Sequence, residues 1–158
     1  DWASAAELNV NITRNLSGVS EGRQHVVYVD SDADNSMKLA TDGDFNTYWR
    51  TVHNQFYLAP YPHEIQVSLA KEAKVKGIKY TPRQDSAEGR IAKYEIYLSQ
   101  DGKEWGKAVA SGTFKNSKEA QTVEFTPHQA RYVKLQALSA ADGGKQAAVS
   151  ELEILTAE

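Results

Sequence analysis

The chain has 158 residues, of which 41% are hydrophobic and 25% charged, proportions that suit one globular domain of ordinary size. Its net charge of −3, with lysine and arginine scattered along the chain, excludes the basic surface of a general nucleic-acid binder. The absence of cysteine excludes disulfides, thiolate zinc sites and a cysteine nucleophile.

Short runs with alternating apolar and polar residues predict strands along most of the chain. The clearest run, residues 63–69, places Ile65, Val67 and Leu69 on one face. The predicted strands span residues 25–29, 63–69, 75–81, 94–98, 107–111, 121–125, 131–138 and 149–155. Turn residues separate these runs, and no segment keeps a helical period over three turns. Many short strands of this kind predict an all-β sandwich or barrel built from two packed sheets.

The first part of the chain shows no clear pattern. We expect residues 1–21 to be an N-terminal extension or linker remnant and residues 22–158 to form the folded domain. Because the chain begins with Asp1 rather than methionine, we expect a processed protein or a fragment of a larger one.

The loop over residues 40–51 combines acidic and hydroxyl oxygens, a glycine and an aromatic anchor. Asp42 and Asp44 flank Gly43, which can adopt the positive φ of a tight turn, and Thr47 adds a hydroxyl. Such a loop can fold its oxygens around a hard cation such as Ca²⁺, which takes about six to eight oxygen ligands. Most Asp-Gly turns bind no ion, so the loop alone leaves both interpretations open.

Several segments in a fixed order resemble the coagulation-factor type C, or discoidin-like, domain, and more closely the family 32 carbohydrate-binding modules of bacterial proteins. The segments are residues 26–31, 40–51, 61–67, 80–85 running into 89–91, 99–106 and 150–154. Each is weak alone, and their joint order makes the resemblance specific. It implies an eight-stranded jelly-roll β-sandwich, like other galactose-binding domains, and a non-catalytic carbohydrate-binding function.

The resemblance also implies a structural calcium ion between the Asp-Gly loop and a glutamate on the last strand. Asp42 and Glu151 would supply carboxylate oxygens, and Thr47 its hydroxyl and its carbonyl. Backbone carbonyls would complete the set near Leu39, Asp44 and Ser150. The alternative for Glu151 is an ordinary exposed strand residue. With a closed set of protein ligands the ion would be a clamp, since no position remains for a reactive water.

Family members bind sugars on loops at one end of the sandwich. Arg83, in a Pro-Arg-Gln motif, matches the family's hydroxyl-binding arginine. Its alternative role is an ion pair with Asp85 or Glu88. The other candidate sugar contacts are Asp32, Arg50, His53, Tyr57 and Glu88.

The chain departs from the family at several of these positions. Glu88 stands where the family often has asparagine, Arg50 where it often has histidine, and His53 near the place of an aromatic residue. Gln146 takes the approximate place of the aromatic residue that stacks on galactose in other members, so Tyr57, Phe56 or Tyr61 is a candidate replacement. These departures leave the sugar open, and a protein-adhesion or interaction module that has lost sugar binding is the alternative function.

No nucleophile elbow, phosphate-binding loop or His-Glu-x-x-His zinc motif occurs, so we expect the isolated domain not to be an enzyme. Trp49 and Trp105 are predicted core or loop anchors. The expected partners are a glycan and a covalently linked neighbouring domain of a glycan-processing or glycan-capturing protein, held by this module near its substrate. We expect an extracellular, periplasmic or bacterial cell-surface location, with no nucleic-acid partner and no membrane binding.

Overall fold

The computed structural model of the chain describes residues 24–29, 37–51, 53–54, 57–58 and 61–157, and for 24–29, 53–54 and 57–58 it describes the backbone. The predicted extension, residues 1–21, lies outside the described residues and stays a prediction, as does the boundary at residue 22.

The described residues form ten strands and one short 3-10 helix, Met37–Thr41. The strands are β1 (Gln24–Val29), β2 (Trp49–Arg50), β3 (His53–Asn54), β4 (Tyr57–Leu58), β5 (His63–Thr81), β6 (Lys93–Ser99), β7 (Ala110–Thr113), β8 (Gln121–Ala137), β9 (Ala148–Val149) and β10 (Glu151–Ala157). All the pairings between them are antiparallel. The predicted all-β jelly-roll fold is confirmed.

Two long strands, β5 and β8, form the centre of the main sheet. One edge of β5 pairs with β1 along its first half and with β10 along its second half, while β8 runs along the other edge. The β5–β8 register shifts between Ser68 and Ala73. A shift of this kind lets a strand bend, so the two halves of one strand can serve both layers of a sandwich.

The predicted division of these strands was wrong at two places. Residues 63–69 and 75–81 were predicted as separate strands around a charged turn, and so were residues 121–125 and 131–138. Each pair is one continuous strand, because β5 and β8 pair with each other on both sides of the irregular segment. Conversely, residues 149–155 were predicted as one strand, and the structure divides them at Ser150 into β9 and β10.

The core lies on the inward faces of these strands. Ile65, Val67 and Leu69 are buried, which confirms the predicted alternation. Tyr80 and Tyr94 both contact the ring of Phe114, with ring centroids 4.5 and 4.1 Å apart. Such ring pairs add to the free energy gained by burial of the apolar surface itself.

Trp49 and Trp105 are anchors, as predicted. Trp49 is buried with 1% of its surface exposed and belongs to the main hydrophobic cluster. Trp105 is half-buried in the loop after β6, where the Lys134 ammonium lies 4.6 Å from its ring centroid. Among the described residues, no helix has the length and apolar character needed to cross a membrane.

The short pair β2–β9 brings distant loops together. Trp49 pairs with Val149 and Arg50 with Ala148, so the loop before β2 lies beside the end of the chain. The site described below is built where these segments meet.

Gly77 offers a test of the β5–β8 packing. A β-carbon at this position would lie 2.5 Å from the backbone oxygen of Val123 and 3.3 Å from the α-carbon of Glu124. Because the neighbouring atoms are sheet backbone, Gly77→Ala should lower the free energy of unfolding by about 1–3 kcal/mol, measured by urea denaturation. The matched control is Gly144→Ala, where the nearest atom belongs to the exposed side chain of Asp142. Its effect should stay within about 0.5 kcal/mol, and equal effects of both changes would contradict the described packing.

Candidate functional site

The Asp-Gly loop is closed by hydrogen bonds between its own oxygens and amides. The carboxylate of Asp42 accepts from the Thr47 hydroxyl at 2.6 Å and from the Asp44 amide at 2.9 Å. The Thr47 hydroxyl also lies 3.1 Å from the Asp44 carbonyl oxygen. Gly43 has φ +79°, the positive value predicted for it. The loop therefore gathers carboxylate, hydroxyl and carbonyl oxygens at one place.

Glu151, the first residue of β10, reaches this loop. Both of its carboxylate oxygens accept from the Gly43 amide, at 3.2 and 3.1 Å. Partial burial raises the pKa of Glu151 from 4.5 to about 7, and the neighbouring carboxylates of Asp42, Glu153 and Asp44 act in the same direction. The Gly43 hydrogen bond opposes them. An ionised Glu151 is therefore unfavourable here without a compensating positive charge.

The remaining predicted metal ligands lie nearby in the chain. Leu39 is half-buried in the 3-10 helix, and Ser150 is fully buried between β9 and β10. The Ser150 amide donates to the Thr81 carbonyl, and its buried hydroxyl has no hydrogen-bond partner among the described residues. In the described part of the chain, no three Asp, Glu or His side chains gather as a metal-binding group. The predicted ligand set does not need three, because it combines two carboxylates with hydroxyl and backbone oxygens.

A second polar cluster surrounds Arg83. The Arg83 Nε donates to the Asp85 carboxylate at 2.6 Å, and its Nη1 lies 3.8 Å from Glu88 Oε2. Arg83 lowers the pKa of Asp85, mainly through this hydrogen bond. The Arg83 side chain is only 10% exposed and that of Asp85 is 65% exposed, so the ion pair that was the alternative role for Arg83 is formed at the edge of the fold. Its Nη1 is buried and makes no hydrogen bond within the described residues.

Sequence analysis missed the residue beneath this guanidinium. The Arg83 Cζ lies 4.3 Å from the centroid of the Tyr48 ring, within the range of a cation–π contact. Tyr48 immediately precedes β2 and is half-buried, whereas its neighbour Trp49 is buried in the core.

Gln146 does not project from its loop as a stacking residue would. It is buried, and its Nε2 donates to Glu88 Oε1 at 2.7 Å. Its carbonyl accepts from the Tyr61 hydroxyl at 2.5 Å, and the Lys145 carbonyl lies 2.6 Å from His63 Nε2. The loop before β9 is thus attached both to the start of β5 and to Glu88.

Backbone contacts hold the segments of this cluster in place. The Ala148 amide donates to the Gly89 carbonyl at 2.8 Å, and the Thr51 amide donates to the Ala147 carbonyl at 3.0 Å. Gly89 has φ +81°, and a β-carbon there would lie 3.0 Å from the β-carbon of Ala148. Glycine at position 89 therefore permits the close approach of the two loops that carry Glu88 and Gln146.

The other predicted sugar contacts are only partly described. Arg50 is half-buried in β2 and contributes electrostatically to the lowered pKa of Asp85, so it lies near the Arg83 cluster. His53 and Tyr57 lie in the hairpin β3–β4, of which the backbone is described. Asp32 lies outside the described residues. The roles of all these residues in sugar binding stay predictions.

Comparison with known proteins identifies the family. The family model described as "F5/8 type C domain" matches residues 23–152. The chain belongs to the F5/8 type C domain family. This confirms the resemblance drawn from the motif order.

Two curated relatives of this F5/8 type C domain are much longer proteins. The domain is 36% identical over 155 residues to a sialidase of Micromonospora viridifaciens, covering 96% of the chain and 24% of the relative. It is 30% identical over 142 residues to a galactose oxidase of Gibberella zeae, covering 89% of the chain and 21% of the relative. The domain therefore spans about a quarter or less of the length of these relatives.

Solved structures with the same fold are carbohydrate-binding modules. A CBM32-5 module from Clostridium perfringens in complex with GalNAc-β-1,3-galactose matches with a TM-score of 0.73 and 28% identity, covering 85% of this chain and 94% of that one. The family 32 module of C. perfringens NanJ in complex with galactose matches with a TM-score of 0.70 and 31% identity, covering 83% and 90%. The isolated F5/8 type C domain is, like these modules, a non-catalytic domain rather than an enzyme.

The raised pKa of Glu151 predicts how stability depends on pH without metal. A carboxyl group whose folded-state pKa exceeds its unfolded value contributes stability that is complete below about pH 4.5 and lost as the pH rises through about 7. In buffer with a chelator, the urea midpoint should therefore fall between about pH 5 and about pH 8. Glu151→Gln should remove this component of the pH dependence. A wild-type curve parallel to that of Glu151→Gln would contradict the assigned electrostatics.

Proposed function

We propose that this domain binds a sugar at the Arg83 cluster and thereby holds a larger glycan-processing or glycan-capturing protein on its substrate. The observation that carries the proposal is the fixed orientation of the Arg83 guanidinium. Tyr48 contacts its flat face and Asp85 accepts from its Nε. A planar donor group held in this way suits adjacent hydroxyls of a sugar ring, because little side-chain entropy is lost when the sugar binds.

Two further observations support a sugar as the ligand. The similar structures from C. perfringens hold galactose and GalNAc-β-1,3-galactose, and the domain covers most of their length. The cluster also offers both kinds of hydrogen-bonding group, since Arg83 is a donor and the half-exposed carboxylate of Glu88 is an acceptor. A sugar hydroxyl can accept from the first and donate to the second.

The proposal includes a structural calcium ion at the Asp-Gly loop. The donor set fits a hard cation, because Asp42, Thr47 and the Asp44 carbonyl form a compact group of oxygens and Glu151 reaches the same loop. The ion would supply the positive charge that the crowded carboxylates lack. Leu39 and Ser150 are the proposed sources of the remaining carbonyl ligands. The role is mechanical, since the ion would join the loop to the last strand.

The length of the relatives supports a targeting role. Since the domain corresponds to about a quarter or less of a sialidase and a galactose oxidase, we place it beside a catalytic or glycan-capturing neighbour in one chain. A tethered module raises the effective concentration of its neighbour at the glycan even when single-site affinity is weak. Glycans that such proteins process or capture lie outside the cytoplasm. We therefore propose a location in the extracellular space, in the periplasm or at the cell surface.

Arg83 tests the sugar site. Arg83→Ala should weaken binding of methyl galactoside or N-acetylgalactosamine by about tenfold or more, because a charged hydrogen-bond donor is lost. The measurement is isothermal titration calorimetry, with a melting curve for each variant. The matched control is Arg131→Ala, an exposed arginine of β8, which should bind like the wild type. Absence of binding to every glycan on an array by the folded wild-type domain would instead favour an adhesion or interaction module.

Asp42 tests the calcium ion. Calcium at about a hundredfold its Kd should stabilise the wild type by about 2.7 kcal/mol, which raises Tm by about 5–10 °C for a domain of this size. Asp42→Ala should have a lower Tm in calcium and no response to chelator. Glu72→Ala, which removes an exposed carboxylate of β5, is the control and should keep the full response. A wild-type Tm that is equal with calcium and with chelator would refute the ion.

A further inference from the structure

We infer that Glu88, held in place by Gln146, makes the Arg83 site select neutral sugars and discriminate against anionic ones. The inference deepens the proposed function and rests on it, because it concerns the chemical class of sugar taken by the same site. It uses two positions at which the chain departs from its family, Glu88 and Gln146.

The first step is the charge of the cluster. The Arg83 guanidinium already faces two carboxylates, with Asp85 at 2.6 Å and Glu88 at 3.8 Å. Arg50 is the second cation that acts on Asp85. Two guanidinium groups and two carboxylates leave the immediate surroundings of Arg83 close to neutral. A sugar carboxylate would therefore meet no uncompensated positive charge here. No electrostatic attraction would offset the free-energy cost of removing the carboxylate from water.

The second step is the fixed position of the Glu88 carboxylate. Glu88 Oε1 accepts from the buried amide of Gln146 at 2.7 Å, which holds the group beside Arg83 although its side chain is 48% exposed. The exposed carboxylate can accept a hydrogen bond from a sugar hydroxyl. It repels a second carboxylate at the same place. A neutral amide such as asparagine or glutamine would not make this distinction.

The third step concerns the neighbouring charged groups. Arg90 lies behind Arg83, where its Nε donates to the Arg83 carbonyl and its Nη1 to Asn116. These two donor nitrogens of Arg90 are thus directed at protein groups. Lys145 and Asp142 are exposed in the loop before β9 and add one charge of each sign. Asp85 is hydrogen-bonded to Arg83 Nε, whereas Glu88 lies 3.8 Å from Nη1, so removal of the Glu88 charge leaves the Arg83–Asp85 contact in place.

The experiment compares methyl galactoside with its anionic analogue, methyl galacturonoside, by calorimetry on the whole chain. The wild type should bind the galactoside more tightly. Glu88→Gln should shift the affinity ratio about threefold to tenfold toward the galacturonoside, since one negative charge is lost near the ligand. The shift should shrink as salt is raised, because exposed charges are screened. Glu72→Gln, the same change at an exposed position of β5, should leave the ratio unchanged.

A second variant tests the part played by Gln146. Gln146→Leu removes the amide that holds Glu88 and should weaken galactoside binding and shift the ratio in the same direction as Glu88→Gln. In the Glu88→Gln background it should shift the ratio no further, because the two residues act as one unit. Additive effects of the two changes would contradict this coupling.

The outcomes separate this inference from the proposed function. Equal or tighter binding of the galacturonoside by the wild type would overturn the inference, and so would a Glu88→Gln ratio no different from that of Glu72→Gln. In both cases galactoside binding that depends on Arg83 would leave the proposed function standing. If the folded domain binds neither sugar, the inference is wrong, and the glycan array then decides the proposed function.

Discussion

The contact between the Gly43 amide and the Glu151 carboxylate is the interaction on which the site depends. It joins residues 108 positions apart and places the motif loop against the last strand. From that point the chain enters β2, whose pairing with β9 sets the position of Tyr48 beneath Arg83. Burial at this place raises the pKa of Glu151, and the neighbouring carboxylates of Asp42, Glu153 and Asp44 act in the same direction, against the Gly43 hydrogen bond. A hard cation would convert this unfavourable arrangement into a clamp.

In the Arg83 cluster a buried guanidinium is held in one orientation although not all of its nitrogens have a hydrogen-bond partner among the described residues. One face is covered by an aromatic ring and one nitrogen is paired with a carboxylate, while Nη1 makes no hydrogen bond among the described residues. Buried polar groups normally have hydrogen-bond partners, so the lack of one for Nη1 within the described residues is unusual. A backbone hydrogen bond from the Ala148 amide to the Gly89 carbonyl ties the loop that carries Glu88 to β9.

The departures from the family form a consistent pair. Glu88 and Gln146 are 58 positions apart and hydrogen-bonded at 2.7 Å. An aromatic residue at position 146 could not donate to Glu88 in this way, and asparagine at position 88 would carry no charge. The structure therefore links the two substitutions physically. The loop that, by the family resemblance, carries a stacking residue in galactose binders is here attached inward, with Gln146 buried and bonded to Glu88.

Local sequence pattern was sufficient for a large part of this protein. The alternation over residues 63–69 identified the buried face of β5, Asp-Gly identified the positive φ of Gly43, and Trp49 was identified as an anchor. These features depend on neighbours in the chain, so the sequence alone determined them. Motif order likewise identified the family. The joining of two predicted strands into β5 was not predictable, because it depends on pairing with β8 across the irregular segment.

Only the tertiary structure decided how the site is assembled. The Tyr48 ring beneath Arg83, the Gln146 amide on Glu88 and the Tyr61 hydroxyl on the Gln146 carbonyl join residues that are far apart in sequence. From the sequence alone, each of these side chains has many possible partners, and local secondary-structure propensity does not select one of them. The choice follows from strand pairing, which brings particular backbone segments within hydrogen-bonding distance, and short-range forces then act only between the groups that pairing has brought together.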